Sequence, residues 1–102
     1  MALKVFWTET AVKLRNQIFE YWNNRNQSTA YSKKLRITIN RNVQILKKQP
    51  FIGKKTDYES VRELVMGHFS ILYKFDDKQI IVVAFWDNRQ DPAILLTILQ
   101  QK

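Results

Sequence analysis

Arg62, His68, Ser70, Asp87, Asn88, Arg89 and Asp91 gather at the ends of one apolar stretch that runs from Val61 to Pro92. Arginine presents a planar fork of donors to a carboxylate or phosphate, and histidine, present once in this chain, exchanges a proton near neutral pH. Lys54 and Lys55 lie just upstream and add two mobile point charges with the reach to meet a phosphate. These residue types suit an anionic ligand or partner, and the ends of this stretch are where a site is expected. The chain has no cysteine, which excludes a disulfide framework and a thiolate zinc site. No metal and no cofactor is expected.

The elements that must hold these residues follow from periodicity. Phe69, Ile71, Tyr73 and Phe75 alternate with Ser70, Leu72 and Lys74, the pattern of a strand with one buried face. Ile80 to Trp86 is almost unbroken in its apolar character, which predicts a central strand covered on both sides. Gly67-His68 and Asp76-Asp77-Lys78 are short polar breaks, so three segments should form an antiparallel meander. Asp91-Pro92 then reads as a helix start, a capping acid before a proline. In the helix that follows, Ile94, Leu95, Leu96, Ile98 and Leu99 point in several directions, so part of it must pack on the sheet or on another chain.

Upstream, Leu3 to Trp7 predicts a short strand with Leu3, Val5 and Trp7 on one face, and Thr8 fits an N-cap. Leu14, Ile18, Tyr21 and Trp22 mark a first helix to about Asn24, with Val12 and Phe19 widening its apolar stripe. Ser28 suits a second cap. Tyr31, Leu35, Ile39, Val43 and Leu46 then define a second helix from about Thr29 to Lys48. Pro50 stops it, and Gly53 is expected to supply a positive φ in the turn after it. Trp7, Trp22 and Trp86 occupy apolar periodic positions and are read as core. The expected class is α+β: a β-α-α-β-β-β order, with an αα-hairpin packed on a mainly antiparallel sheet and a short C-terminal helix.

At 102 residues and 45% hydrophobic composition, residues 1–102 are expected to form a single folded domain. Nothing at the N-terminus reads as a secretion signal, and no apolar run approaches the roughly 20 residues of a membrane span. A cytoplasmic protein without a membrane partner is expected. The net charge of +8 favours acidic or polyanionic partners. It is unevenly placed: residues 1–55 carry 12 Lys/Arg against 2 Asp/Glu, whereas residues 56–102 carry 5 against 7. Lys33, Lys34, Arg41, Lys47 and Lys48 on the second helix, with Lys54 and Lys55, are therefore the expected nucleic-acid or partner-binding surface.

Several short signatures occur in a fixed order: Trp7-Thr8 with Ala11, Tyr21-Trp22, Pro50-Phe51-Ile52-Gly53, Val61-Arg62-Glu63-Leu64-Val65, Gly67 to Tyr73, and Phe85 to Pro92. Together they resemble the RelE/ParE superfamily of bacterial toxin–antitoxin toxins over nearly the whole chain. The resemblance implies a small basic, growth-inhibiting toxin of a plasmid-stabilisation type of module. It would be neutralised by a cognate acidic antitoxin that wraps its sheet and helices, and it leaves room for a heterotetramer with that antitoxin. Ile94, Leu95 and Ile98 would then contact the antitoxin.

Two targets have family precedent: RelE-like members cleave messenger RNA in the ribosomal A site, and ParE-like members inhibit DNA gyrase. For cleavage without a metal, something must help to deprotonate the 2′-hydroxyl, cations must stabilise the phosphorane and an acid must protonate the leaving oxygen. The resemblance would give these tasks to Arg62 and Arg89, with Lys54 and Lys55 within reach of a phosphate, and His68, the only histidine, stands where it could substitute for a missing group. The Gly-x-aromatic-Arg pattern of RelE-like members reads Gly67-His68-Phe69-Ser70 here, and no Tyr or His follows Arg89. Those departures favour gyrase-type inhibition by binding over ribonuclease chemistry, with a degenerate, non-toxic homologue as the remaining reading.

Overall fold

The computed structural model describes residues 3–58 and 60–100. It begins with β1 (Lys4–Trp7), which passes directly into α1 (Glu9–Asn26). Thr8 makes that junction: its hydroxyl accepts the Ala11 N–H at 3.1 Å, with Glu9 in the first turn where the helix dipole favours an acid. The helix runs two residues past the expected end at Asn24 and closes at Gln27, whose φ of 52° places it in the left-handed region. α2 (Ala30–Lys48) follows, with the Ser28 hydroxyl accepting the Ala30 N–H. The Ser32 hydroxyl ties the two helices by bonding the Asn23 side chain.

A two-residue strand, β2 (Lys54–Lys55), precedes the expected meander of β3 (Arg62–Met66), β4 (Phe69–Phe75) and β5 (Gln79–Asp87), and α3 (Pro92–Gln100) ends the described chain. The sheet order is β1-β5-β4-β3-β2; β1 lies parallel to β5 and every other pair is antiparallel. The fold is α+β with the αα-hairpin on one sheet face, as the sequence indicated. Gly67 makes the β3–β4 turn at φ +71°. Asp91 opens α3 by accepting the Ala93 N–H at 2.9 Å.

Two apolar clusters occupy the two faces of the sheet. Leu35, Ile39, Val43 and Leu46 of α2 and Ala11 and Phe19 of α1 pack on Phe69, Ile71, Tyr73, Ile80, Val82 and Phe85. Each fully buried aliphatic side chain there contributes on the order of 1.5–3 kcal/mol. On the other face Val61, Leu72, Ala84 and Trp86 are covered by Leu95, Ile98 and Leu99 of α3. The unbroken apolar run of β5 has a geometric cause. The register slips between Leu72 and Tyr73, leaving Val83 as an extra residue, so Ile80 and Val82 share the hairpin face with Phe85 while Ala84 and Trp86 turn away. A bulge shifts parity by one, and simple alternation cannot survive it.

Gly53 has no positive φ; among the glycines only Gly67 does. Its requirement is space. A Cβ at Gly53 would sit 2.5 Å from the Tyr73 hydroxyl oxygen. That hydroxyl accepts the Gly53 N–H at 3.0 Å and donates to the Pro50 carbonyl at 2.6 Å, pinning the turn to β4. No helix among the described residues is long and apolar enough to cross a membrane.

Candidate functional site

Arg62 leaves β3 on the hairpin face, opposite Tyr73. Its guanidinium donates to the Gly53 carbonyl at 2.8 Å and the Phe51 carbonyl at 3.2 Å. It also packs 5.7 Å from the ring centres of both Phe51 and Phe75. Arg62 therefore ties the Pro50–Gly53 turn to the sheet through its Nη1.

Arg89 sits at the other end of the same face. Its Nε and Nη2 donate to the two Asp87 carboxylate oxygens at 2.9 and 2.8 Å, a bidentate pair. The Arg89 N–H also meets Asp87. Hydrogen bonds from Arg89 hold the Asp87 carboxyl below the usual carboxylate range, against the opposing effect of burial. The Arg89 guanidinium lies 5.5 Å from the Trp22 ring centre and 5.8 Å from that of Phe69. Asp91, the second carboxylate expected at this corner, caps α3 instead.

His68 is exposed on the β3–β4 turn, and its carbonyl accepts the Asn88 N–H at 2.7 Å. It thus shares a corner with Arg89 but not with Arg62. Phe69 pairs with Asp87, and Tyr73 pairs with Arg62. The four steps of β4 between those rungs span about 13 Å, and the guanidiniums lie over Phe75 and Phe69 at the two ends, so as held they do not converge on one phosphoryl group.

Ser70 stands where RelE-like members carry arginine, on the α3 face, fully buried. Its hydroxyl donates to the Glu63 carboxylate at 2.7 Å, and the Asn88 side-chain amide lies 3.0 Å away. A hydroxyl has one proton, so Ser70 donates to the Glu63 carboxylate or to Asn88 Oδ1, one at a time. Glu63 reaches Ser70 because β3 and β4 pair with Val65 opposite Ser70 and Glu63 opposite Leu72, a diagonal contact on one face. Leu72, Ala84 and Trp86 of this face lie under α3, which is fastened by a hydrogen bond from the Tyr58 hydroxyl to the Leu99 carbonyl. A cleft of about 310 Å³ remains between α3 and the sheet, bordered by Glu63, Asn88 and Asp57.

A larger cleft, of about 570 Å³, opens between the second half of α1 and the Asp87–Gln90 corner. Tyr21, Trp22 and Arg25 form one wall and Phe85, Asp87 and Arg89 the other. β1 pairs with β5 only from Gln79 to Val82, so α1 takes over beside the remaining length of β5 and leaves this opening where it diverges. Arg25 went unnoticed in the sequence because it reads as the polar end of a helix, and Tyr21, expected in the apolar stripe, is instead exposed and lines this cleft. Trp7 and Trp22 are half-buried, Arg15 packing 4.8 Å from the Trp7 ring, and Trp86 alone of the tryptophans is buried.

The remaining expected residues are spread over the surface. Lys33, Lys34, Arg41 and Lys48 are exposed on α2, and Lys47 is half-buried. Lys54 and Lys55 are exposed on β2, paired with Glu63 and Arg62. Leu95 and Ile98 face their own sheet, whereas Ile94 points to solvent at 51% exposure. Among the described residues Arg89–Asp87 is the only ion pair, so the basic half of the chain carries its charge without carboxylate partners.

No curated protein matches the chain in sequence. Solved structures do match its fold. A chain from the chromosomal ParDE toxin–antitoxin system of P. aeruginosa superposes with a TM-score of 0.72 at 18% identity, over 84% of this chain and 96% of that one. A chain from a RelBE toxin–antitoxin complex of Mycobacterium tuberculosis gives 0.63 at 16% identity, over 85% and 99%. At such identities the likeness establishes the fold alone. Residues 5–92 match the model of the ParE toxin of the parDE type II toxin–antitoxin system, which spans most of the chain. The chain belongs to the ParE toxin family of type II toxin–antitoxin systems, within the RelE/ParE superfamily.

Proposed function

We propose that this toxin acts by binding its target, DNA gyrase on the ParE-like precedent, and not by cleaving RNA. The observation that carries the reading is the separation of the cations. Arg62 is held by two backbone carbonyls at one end of β4, and Arg89 by the Asp87 carboxylate at the other. Phosphoryl transfer needs preorganised charge converging on one centre, and each missing donor commonly lowers the rate by about 100–1000-fold. The Glu63–Ser70–Asn88 cluster adds a carboxylate where a cleaving site would want a cation. In this reading Arg62 and the Ser70 cluster are structural, and the Trp22–Arg25–Arg89 cleft is the target-facing corner.

A cognate acidic antitoxin neutralises the toxin, with the acid-poor half of the chain as its electrostatic counterpart, in a complex that can extend to a heterotetramer. The biological output is growth inhibition when the antitoxin is lost. Expressing the chain alone in bacteria should arrest growth, and co-expression of the small acidic protein encoded beside it should restore growth. Unimpaired growth on expression of the folded chain alone would overturn the reading in favour of a non-toxic homologue.

A further inference from the structure

The cleft of about 570 Å³ between α1 and the Asp87–Gln90 corner has the size of a small-molecule site, for which roughly 300–1,000 Å³ is usual. Its walls are aromatic and cationic together. Tyr21 and Trp22 meet at 88° with ring centres 5.2 Å apart. Trp22 is half-buried and backed by Tyr31 at 4.9 Å, whereas Tyr21 is 55% exposed. A ring so exposed on a cleft wall offers a planar ligand a face to stack on. Two guanidiniums from opposing walls close on Trp22, Arg25 at 5.7 Å from the ring centre and Arg89 at 5.5 Å. Arg89 engages Asp87 through Nε and Nη2, and its Nη1 makes no hydrogen bond among the described residues. Arg25 is exposed and has no carboxylate partner among the described residues; its Nη1 lies 3.4 Å from the Tyr21 hydroxyl. Two arginines against one carboxylate leave the cleft with one positive charge.

We propose that this cleft binds a purine nucleoside monophosphate. The base lies against Tyr21 and Trp22, and the phosphate sits between Arg25 and the Nη1 of Arg89. A tetrahedral phosphate presents enough oxygens to accept from two guanidinium forks that arrive from different directions. Asp87, Gln17 and Gln90 line the same opening, and a carboxylate there accepts N–H groups from the edge of a base. An anion without such donors would meet the Asp87 carboxylate unrelieved, so the ligand has to carry N–H groups as well as charge. A purine nucleotide joins a stacking ring, donors and a phosphate in one molecule. Binding does not depend on which target the toxin acts on, although the nucleotide would occupy the corner assigned to that target.

The test is a calorimetric titration of the full chain with GMP at physiological salt, beside guanosine and ribose 5-phosphate as the two halves of that ligand. GMP should bind at least tenfold more tightly than either half. Tyr21→Ser and Arg25→Gln, both at exposed positions, should each weaken GMP at least tenfold, with circular dichroism showing both variants folded. Lys78→Gln, which removes an exposed cation from the β4–β5 turn, should bind GMP as the unaltered chain does. Absence of GMP binding, ribose 5-phosphate binding as tightly as GMP, or an unchanged affinity in Arg25→Gln would each overturn the proposal. So would an equal loss in Lys78→Gln, or a preference for a ten-base single-stranded oligonucleotide over GMP. None of these results bears on growth arrest, which tests the toxin role separately.

Discussion

Arg62 and Arg89 emerge on the same face of the sheet yet stand at opposite ends of β4, one opposite Tyr73 and the other over Phe69. Arg89 is neutralised by Asp87, whereas Arg62 is oriented by two backbone carbonyls without a carboxylate partner among the described residues.

Arg62 and Tyr73 together fasten the Pro50–Gly53 turn, and Gly53→Ala tests that fastening. The new Cβ would press on the Tyr73 oxygen at 2.5 Å and on its ring carbons at 2.7 and 3.0 Å. Overpacking of this kind costs about 1–3 kcal/mol. Because ring carbons as well as the hydroxyl are in the way, Tyr73→Phe should fail to rescue Gly53→Ala in urea denaturation.

Burial raises the Tyr73 phenol above its ordinary value, outweighing the Gly53 N–H and Arg62, which favour the phenolate. A raised folded-state value means stability that is complete below the unfolded pKa of about 10 and lost as pH rises through the folded value. Ultraviolet titration should show one of the four tyrosines ionising late. Tyr73→Phe should remove that late phase and flatten the alkaline fall in stability.

Asp87 gives the opposite sign. Its value is depressed, chiefly by the hydrogen bonds from Arg89. Its contribution is therefore present above the unfolded carboxylate value of about 4 and disappears as pH falls through the folded one. Asp87→Asn should make the acid limb of stability shallower, measured by thermal unfolding between pH 5 and pH 2. An unchanged limb would mean that the Arg89 pair contributes nothing in solution.

Ser70→Ala removes the hydroxyl shared by Glu63 and Asn88 while leaving the apolar packing around it. A part-buried acceptor left without its donor costs about 1–3 kcal/mol, so the unfolding midpoint should drop by that equivalent. Growth arrest should persist in this variant, since the cluster is structural in the present account.

Much of the fold was legible in the sequence because its periodicities are clean. The α2 stripe Leu35, Ile39, Val43 and Leu46 is buried throughout, and the strand alternation from Phe69 to Phe75 matches the observed faces. Legibility failed where non-local geometry decides. The Val83 bulge disguises two faces as one apolar run. Gly53 is glycine because of a side chain twenty residues away, which turn rules do not see. The candidate site was legible only as a set of residue types. Its arrangement depends on strand register, which puts Glu63 against Ser70 and sets Arg62 a full strand away from Arg89.

The central claim is action by binding without RNA cleavage, and one paired measurement tests it most directly. The purified chain is added to DNA gyrase in a supercoiling assay and, at the same concentration, to ribosomes stalled on a messenger with a defined A-site codon. Action by binding predicts inhibited supercoiling and an intact messenger. Cleavage at the A site that is abolished by Arg89→Ala, with supercoiling unaffected, would contradict it.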